Sequence, residues 1–375
     1  LKKKLLVLFT AVAIGWVGSL PFGNSVYAQT AQMSEGAFKN ITVLKGIPVD
    51  EFMGTMGLFS AALSFCCKDC HEGAGTSNPH WEADPPRKVV ARRMVQMVAK
   101  INQDSFNGRQ VVTCWTCHRG AQSPANTPPI DTIYGAPTFT PTDVLPAAPA
   151  SAGTPPANEI LDKYITALGG ADNLAKLTSF TAKGTSHLFG EVNADPTEIS
   201  AKAPNLLATL VHQREGDMAR TYDGRTAWVM LPLTVVGEYP LNASMLDGAK
   251  LDAQLSFPGG LRQFFTNWRV SYPTALDGRQ VYVVQGSAPS GLVATFYFDR
   301  QTGLLTRMVR YATSAVGRVP TQIDLSDYRT VAGVKMPYKW TYGWVSGQEE
   351  YTLTELTPNV AVDNAKFNKP VQKTK

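Results

Sequence analysis

Cysteine is scarce in this chain: five residues in 375, too few to build a fold from disulfide bridges. Charge is scarce too. Only 17% of residues are charged against 44% hydrophobic, which excludes a disordered, solvating polymer. No block of lysine and arginine stands out, and 35 basic against 30 acidic side chains is a small excess, so nucleic acid is not an expected partner. No run stays apolar for the roughly 20 residues that span a bilayer; the stretch Leu5–Leu20 stops at 16. The length predicts at least two domains.

That short apolar run has a different use. Lys2-Lys3-Lys4 precede it, and Pro21, Gly23 and Val26-Tyr27-Ala28 follow it. A charged start, a short apolar core and small residues before a cut mark a cleavable secretory signal peptide, here residues 1–28. The chain from Gln29 onward is therefore expected outside the cytoplasm, periplasmic or extracellular.

Three zones follow. Residues 29–120 hold all five cysteines and read as helical. Residues 121–157 carry nine prolines among Ala, Thr and Ser, a composition that forms neither a helix nor a central strand and so reads as a linker. Residues 158–370 change pattern, with a short tail, 371–375, after them. Asn158 is placed to cap a helix whose apolar face is Leu161, Tyr164, Ile165 and Leu168, and Gly169-Gly170 stops it. A second short helix is expected around Leu174 and Leu177. Beyond Phe180 come alternating β-branched and aromatic runs, with hairpin signals at Asp223-Gly224, Ala332-Gly333 and Asp299 to Gly303. The fold class expected is two domains: a mainly α domain, then an α+β domain with a curved antiparallel sheet, an incomplete β-barrel with helices.

Chemistry concentrates in two motifs. Cys67-Lys68-Asp69-Cys70-His71 and Cys114-Trp115-Thr116-Cys117-His118 both read Cys-x-x-Cys-His, the attachment signature of c-type haem. Two thiols three positions apart can add to the two vinyl groups of one porphyrin, and the adjacent imidazole then falls beneath the iron. A redox disulfide pair would expect a βαβ context, and a four-thiol zinc site needs no histidine after each pair. Two covalently bound haem c groups are expected, held by Cys67, Cys70, Cys114 and Cys117, with His71 and His118 as axial iron ligands. Cys66 is the odd thiol, expected buried against a haem or a protein wall, with a reactive or intermolecular role as the alternative.

The opposite iron faces need donors. His80 is the spare histidine of the helical zone, and Met53, Met56, Met94 and Met97 are the thioether candidates. Each methionine pair is spaced i, i+3, so both members share a helix side. Val90, Met94, Met97 and Ile101 form an apolar stripe whose methionines are also simple core filler. Arg92 and Arg93 are candidates for propionates or for a solvated face.

Val89-Val90-Ala91-Arg92-Arg93-Met94, Ile101-Asn102 and Val112 to Gly120 resemble the photosynthetic reaction-centre cytochrome c subunit, over about Val49 to Gly120. The resemblance implies that each haem takes its sixth ligand from a methionine on the helix before its motif, which maps to Met94 and, in the earlier helix, to Met56 rather than Met53. That family carries four motifs and this chain two. Between Met94 and Cys114 there is no histidine, where the family places the one serving its fourth haem. His/Met ligation fills both axial positions and raises the potential, so electron transfer between a redox donor and acceptor is expected, rather than enzyme or peroxidase-type chemistry.

Leu168-Gly169-Gly170, Tyr222 to Trp228, Phe298-Asp299 with Thr302-Gly303-Leu304, and Asp327-Tyr328 with Met336-Pro337-Tyr338 resemble the outer-membrane lipoprotein-carrier (lipoprotein-sorting) superfamily, which implies an apolar cavity for acyl chains. His187 and His212 read as ordinary strand or loop residues and Glu349-Glu350 as a solvated edge. The second domain is then a docking or assembly module for a partner, a membrane-associated complex or self-assembly. Alternatively it is a lipid- or quinone-binding carrier with the haems as accessory redox centres, or the chain is a subunit of an extracellular haem filament.

Overall fold

A computed structural model describes residues 31–124, 126–127, 152–232 and 234–372. The expected signal peptide, most of the linker and the end of the tail lie outside the described residues.

Helices come first: α1 Ser34–Ala37, α2 Val49–Leu63, α3 Cys67–Cys70, α4 Pro86–Phe106 and α5 Cys114–His118. Pro48 precedes α2, and Pro85 precedes α4 with Pro86 as its first residue. Proline presets the backbone for a helix start, where its missing N–H costs nothing. Both helices end on a left-handed residue, Ser64 (φ 52°) and Asn107 (φ 54°), the usual way to turn a chain off a helix.

Helix α6, Ala157–Ala167, lies where expected, but Pro156 sits at its N-cap and Asn158 falls inside the first turn. Its face of Ile160, Leu161, Tyr164 and Leu168 is buried. Gly169 and Gly170 follow at φ 121° and 85°. A β-carbon on Gly169 would lie 2.1 Å from the Gly333 carbonyl oxygen, so only glycine lets this helix end touch the sheet there. Helix α7 is Ala171–Lys176.

The strands are β1 Ser179–Leu188, β2 Asp195–Lys202, β3 Leu206–Gln213, β4 Gly216–Tyr222, β5 Ala227–Met230, β6 Glu238–Leu241, β7 Asn267–Val270, β8 Thr274–Leu276, β9 Arg279–Ser287, β10 Val293–Asp299, β11 Leu305–Ser314, β12 Gly317–Val331, β13 Val334–Trp344 and β14 Gly347–Pro358. Between β6 and β7 lie α8, Ala243–Leu255, and α9, Leu261–Phe264. All pairings are antiparallel in one sheet, ordered β6-β5-β4-β3-β2-β1-β14-β13-β12-β11-β10-β9-β7, with β8 beside β9.

Two meanders are thus joined by β1 against β14, in a register that puts Phe180 opposite Pro358. Strands β6 and β7 are the two ends of that order and do not pair with each other, so the sheet is open. Helix α8 packs on β11 in one arm and on β4 and β6 in the other. A sheet that meets one helix with both arms must curl around it. The predicted hairpins are present: Asp223 Oδ1 accepts from the backbone of Arg225 and Thr226, Asp299 Oδ1 from Gln301 and Thr302, and Ala332-Gly333 turns with both φ positive, as a two-residue antiparallel turn requires.

The core lies on the concave side. Phe296, Phe298, Leu305, Met308, Leu251 and Leu261 are sealed from solvent there, with Phe265, Trp268 and Phe296 in edge or tilted ring contacts. The helical zone, by contrast, buries few apolar side chains: Val49, Ala62, Ala74 and Val98 among its described residues. It leans on the sheet domain through α2, which touches β6, β11 and β12. Asp50, buried, accepts from the Asn242 backbone at 2.6 Å and from its side chain at 3.1 Å. Farther along, Gln110 Nε2 donates to the Ser314 carbonyl at 3.1 Å.

Truncating Phe298 to Ala removes a fully buried ring and should lower stability by about 3–5 kcal/mol in chemical denaturation. Asp50→Ala leaves the Asn242 donors unpaired and should cost about 1–3 kcal/mol, read as faster amide exchange along α2 with the sheet core unchanged.

Candidate functional site

Both Cys-x-x-Cys-His motifs fold as single short helices. In the first, Asp69 accepts from the Cys66 backbone at 2.9 Å and from the Cys66 thiol at 3.1 Å, capping the turn that carries Cys67 and Cys70. Those hydrogen bonds, with the Arg87 guanidinium 3.3 Å away, hold the exposed Asp69 carboxyl below its ordinary pKa. In the second, Thr113 and Thr116 cap each other reciprocally and start the turn that carries Cys114 and Cys117. Thiols at i and i+3 share one side of a helical turn, the disposition two adjacent vinyl groups demand.

No disulfide joins the five cysteines. Burial pushes the Cys70 and Cys114 thiols above their ordinary pKa, whereas a Cys-x-x-Cys redox pair works through a depressed one. Nor do the pairs converge: among the described residues no three His, Cys, Asp or Glu side chains come together as a metal site. Cys66 is exposed and not packed against a protein wall, because its thiol is turned to Asp69 as part of the helix cap.

The two histidines follow their thiols closely. The His118 Nδ1 lies 3.0 Å from the Ala121 carbonyl. A carbonyl only accepts, so Nδ1 carries the proton and Nε2 presents its lone pair outward, the tautomer that metal-binding histidines use. His71 sits 5.3 Å from the Trp81 ring, and its Nδ1 is the buried side-chain nitrogen without a hydrogen-bond partner among the described residues. Burial, seconded by the Lys88 charge, pushes its pKa below the ordinary imidazole value; the Trp81 backbone pulls the other way by a smaller amount. A neutral ring is the ligating form. Lys88 itself fixes the overlying loop by donating to the Trp81 and Ala83 carbonyls, each at 2.8 Å.

Helices α2 and α4, which carry the candidate methionines, brace these turns. At the end of α2 the Ala62 carbonyl accepts from Gly120 at 3.0 Å, and Ser64 Oγ donates to the Gly120 carbonyl at 2.7 Å, so α2 holds the second motif. The first turn of α4 holds the first motif through Arg87 and Asp69. Met56 and Met94 are half-buried. Met53 lines the chamber on the sheet side of α2, and Met56 is not among the residues lining it. The expected stripe on α4 is largely bare: Val90 is 51% and Met97 43% exposed, and Trp115 in the second motif is 53% exposed. Arg92 bonds Asp84 at 2.8 Å and the Asn40 carbonyl, Arg93 is exposed, and His80 is exposed beside Asn78.

Few buried apolar residues, an exposed apolar helix face, a buried imidazole nitrogen without a partner among the described residues and thiols paired on one helical turn fit a porphyrin. The residues present accommodate the group.

Three contributors carry little signal in the sequence. Asn102, buried in α4, accepts from the Val111 and Val112 backbones at 3.0 and 2.9 Å and donates to the Val112 carbonyl at 2.8 Å, fixing the approach to the second motif. Glu349 is 2% exposed, not a solvated edge, because Arg220 and Tyr351 reach it at 3.5 and 2.5 Å. Glu350 beside it is the outward residue and pairs with Lys339 at 2.9 Å. Arg310 binds both oxygens of Asp252, at 2.9 and 2.6 Å.

Residues 18–135 match the family model of the photosynthetic reaction centre cytochrome C subunit. The chain is 33% identical over 101 residues to that subunit from Roseobacter denitrificans, covering 25% of this chain and 27% of the relative. To the one from Thermochromatium tepidum it is 34% identical over 113 residues, covering 29% and 26%. The chain thus spans about a quarter of the length of the curated relatives it matches. Among solved structures, a domain described as an outer membrane lipoprotein-sorting protein domain from Vibrio parahaemolyticus aligns with 56% of this chain and 95% of its own at 11% identity and a TM-score of 0.39. A LolA superfamily protein from Nitrosomonas europaea aligns with 58% and 99% at 14% identity and 0.38.

Asn102→Ala strands two backbone N–H groups and a carbonyl, and should cost about 2–3 kcal/mol. Denaturation followed by helical circular dichroism is the check.

Proposed function

We propose that this chain is an exported dihaem c-type cytochrome that relays electrons between redox partners, with the sheet domain as its docking or assembly module. The observation that carries this reading is the doubled arrangement of two thiols on one helical turn followed at once by an imidazole. Cys67 and Cys70 hold one haem, Cys114 and Cys117 the other, each thiol S–H adding across a vinyl group with no leaving group. His71 and His118 are the axial ligands on the motif side.

Met94 and Met56 are the ligands opposite. Met56 is favoured over Met53 by the resemblance and by placement, since Met53 faces the chamber of the sheet domain. Haem supplies a reversible one-electron iron couple. The protein's residues orient it, exclude water from it and fill both axial positions, which leaves electron transfer rather than substrate chemistry as the working role. The partners are a redox donor and an acceptor met in the periplasm or outside the cell.

A second reading, favoured by the cavity between α2 and the sheet, is a carrier for an apolar ligand with the haems as accessory redox centres.

Carbon monoxide discriminates. Neither iron of the reduced parent protein should bind it, and Met94→Ala should open one iron and lower that haem's potential. An unchanged spectrum and potential would make Met94 simple packing, and ready binding to the parent protein would end the pure relay reading. Intact mass should show two haems retained after denaturation, and one after replacing Cys114 and Cys117 together with Ala.

A further inference from the structure

Helix α2 is a wall of a second compartment. Between it, α8 and the concave face of the sheet lies a cavity of about 600 Å³, within the range of about 300–1,000 Å³ typical of small-molecule sites. The helix comes unusually close to the sheet domain because two of its residues lack side chains. A β-carbon on Gly57 would stand 2.7 Å from Val345 Cγ2, and one on Gly54 2.9 Å from Met245 Cε. Asp50, tied to Asn242, pins the start of the helix. The compartment is therefore composite, built by the helix that carries Met56 and by the sheet.

Most of its lining is apolar, and its polar groups are not equivalent. Arg310 is spent: Asp252 occupies it from two directions and Tyr342 accepts from it at 3.0 Å. Arg220 is not. It lies 4.7 Å over Tyr342 and 5.7 Å from the Trp344 ring centre, and among the described residues only its Nη1 is bonded, to Tyr351 at 3.1 Å and Glu349 at 3.5 Å. Its side chain is 28% exposed and the residue lines the cavity, so the guanidinium keeps N–H groups available to a molecule bound there. Guanidinium donors held over aromatic rings meet an acceptor with little further loss of freedom.

Both cations on this wall already face carboxylates: Arg220 faces Glu349 and Arg310 faces Asp252. An anionic head would bring an uncompensated charge into an apolar compartment, at a steep cost. A neutral carbonyl would take the free donors at none.

We infer that this compartment binds a neutral apolar molecule with a carbonyl-type acceptor, its head held by Arg220 and its exit closed by α2. The inference rests on the carrier reading and specifies it. Two sources present this chemistry, the ring carbonyls of an alkylated quinone and the ester carbonyls of a neutral glyceride.

The test uses the full-length holoprotein and three probes in equilibrium dialysis: a decyl-substituted benzoquinone, dioctanoylglycerol, and laurate as the anionic comparison. One or both neutral probes should bind at one per chain, the stronger identifying the source, with laurate weaker. Arg220→Met should weaken binding about tenfold or more, the loss of a hydrogen bond from a charged donor. Because that change strands Glu349, the balanced pair Arg220→Met/Glu349→Gln repeats the measurement, with circular dichroism confirming the fold. Gly57→Val, which pushes α2 off Val345, should speed probe release at least severalfold. Probe binding should also shift the midpoint potential of one haem.

Failure of every probe, with no stoichiometric apolar molecule in organic extracts of the purified protein, would overturn the carrier reading itself. Binding that ignores both Arg220 variants, or that favours laurate, would overturn the head assignment alone. Release unaffected by Gly57→Val would remove α2 as the closure.

Discussion

The rest of the molecule depends on how closely α2 can lie against the sheet domain. A helix packs at a distance set by the side chains between it and its neighbour, and at Gly54 and Gly57 there are none. Met245 and Val345 come within the space a β-carbon would need. The helix that reaches the second cysteine motif with its last residues is thereby the same helix that walls the sheet cavity. One side of α2 presents Met53 to that cavity while its end holds Gly120 just after His118. Both regions are thus joined by one helix about 22 Å long, at 1.5 Å per residue.

The two regions satisfy the requirement for a core in different ways. The sheet domain encloses Phe296, Phe298, Leu305 and Met308 completely and can account for its own stability by burial. The helical zone cannot. Its described residues bury four apolar side chains and leave Val90, Met97 and Trp115 in the open. What order it has comes from polar clamps: Asn102 on residues 111 and 112, Lys88 on the loop over His71, Ser64 on Gly120. Such clamps fix backbone geometry while contributing little net stability each. Such a frame suits the proposed cofactor, covalently anchored, flat and apolar, which would provide the burial that the protein side chains do not.

Much of this was legible in the sequence because it is local. Cys-x-x-Cys-His is read within five residues, and the hairpin turns at Asp223, Asp299 and Ala332-Gly333 are read within about five more, since side-chain capping and positive φ act over that range. The helix face of Leu161, Tyr164 and Leu168 followed from its period, although Ile160 is buried where Ile165 was expected and Pro156 rather than Asn158 stands at the start. Cys66 and Glu349 were misread for opposite reasons. A cysteine reads as buried until a neighbour such as Asp69 turns it outward. A glutamate reads as exposed until a residue from a distant strand, here Arg220, reaches it. The packing of α2 was illegible because it joins Asp50 to Asn242 across the whole linker and half the sheet, and a glycine in a helix gives no sign of what it will touch.

The electrostatics of the cavity sharpen what the two glycines accomplish. A buried ion pair is costly to break because one charge is left unsolvated. Arg310 and Asp252 meet that condition, with both carboxylate oxygens occupied, so they act as fixed architecture. Arg220 and Glu349 are looser at 3.5 Å, and the tighter bond of that trio runs between Glu349 and Tyr351. The guanidinium lies over the aromatic faces of Tyr342 and Trp344, bonds Tyr351 at 3.1 Å and has its counter-ion only at the edge of hydrogen-bond distance. A cation fixed by stacking keeps its donors in plane and free at the edge. Placed in a chamber whose far wall is the α2 helix, such an edge makes a recognition element of a residue that would otherwise be only a neutralised charge.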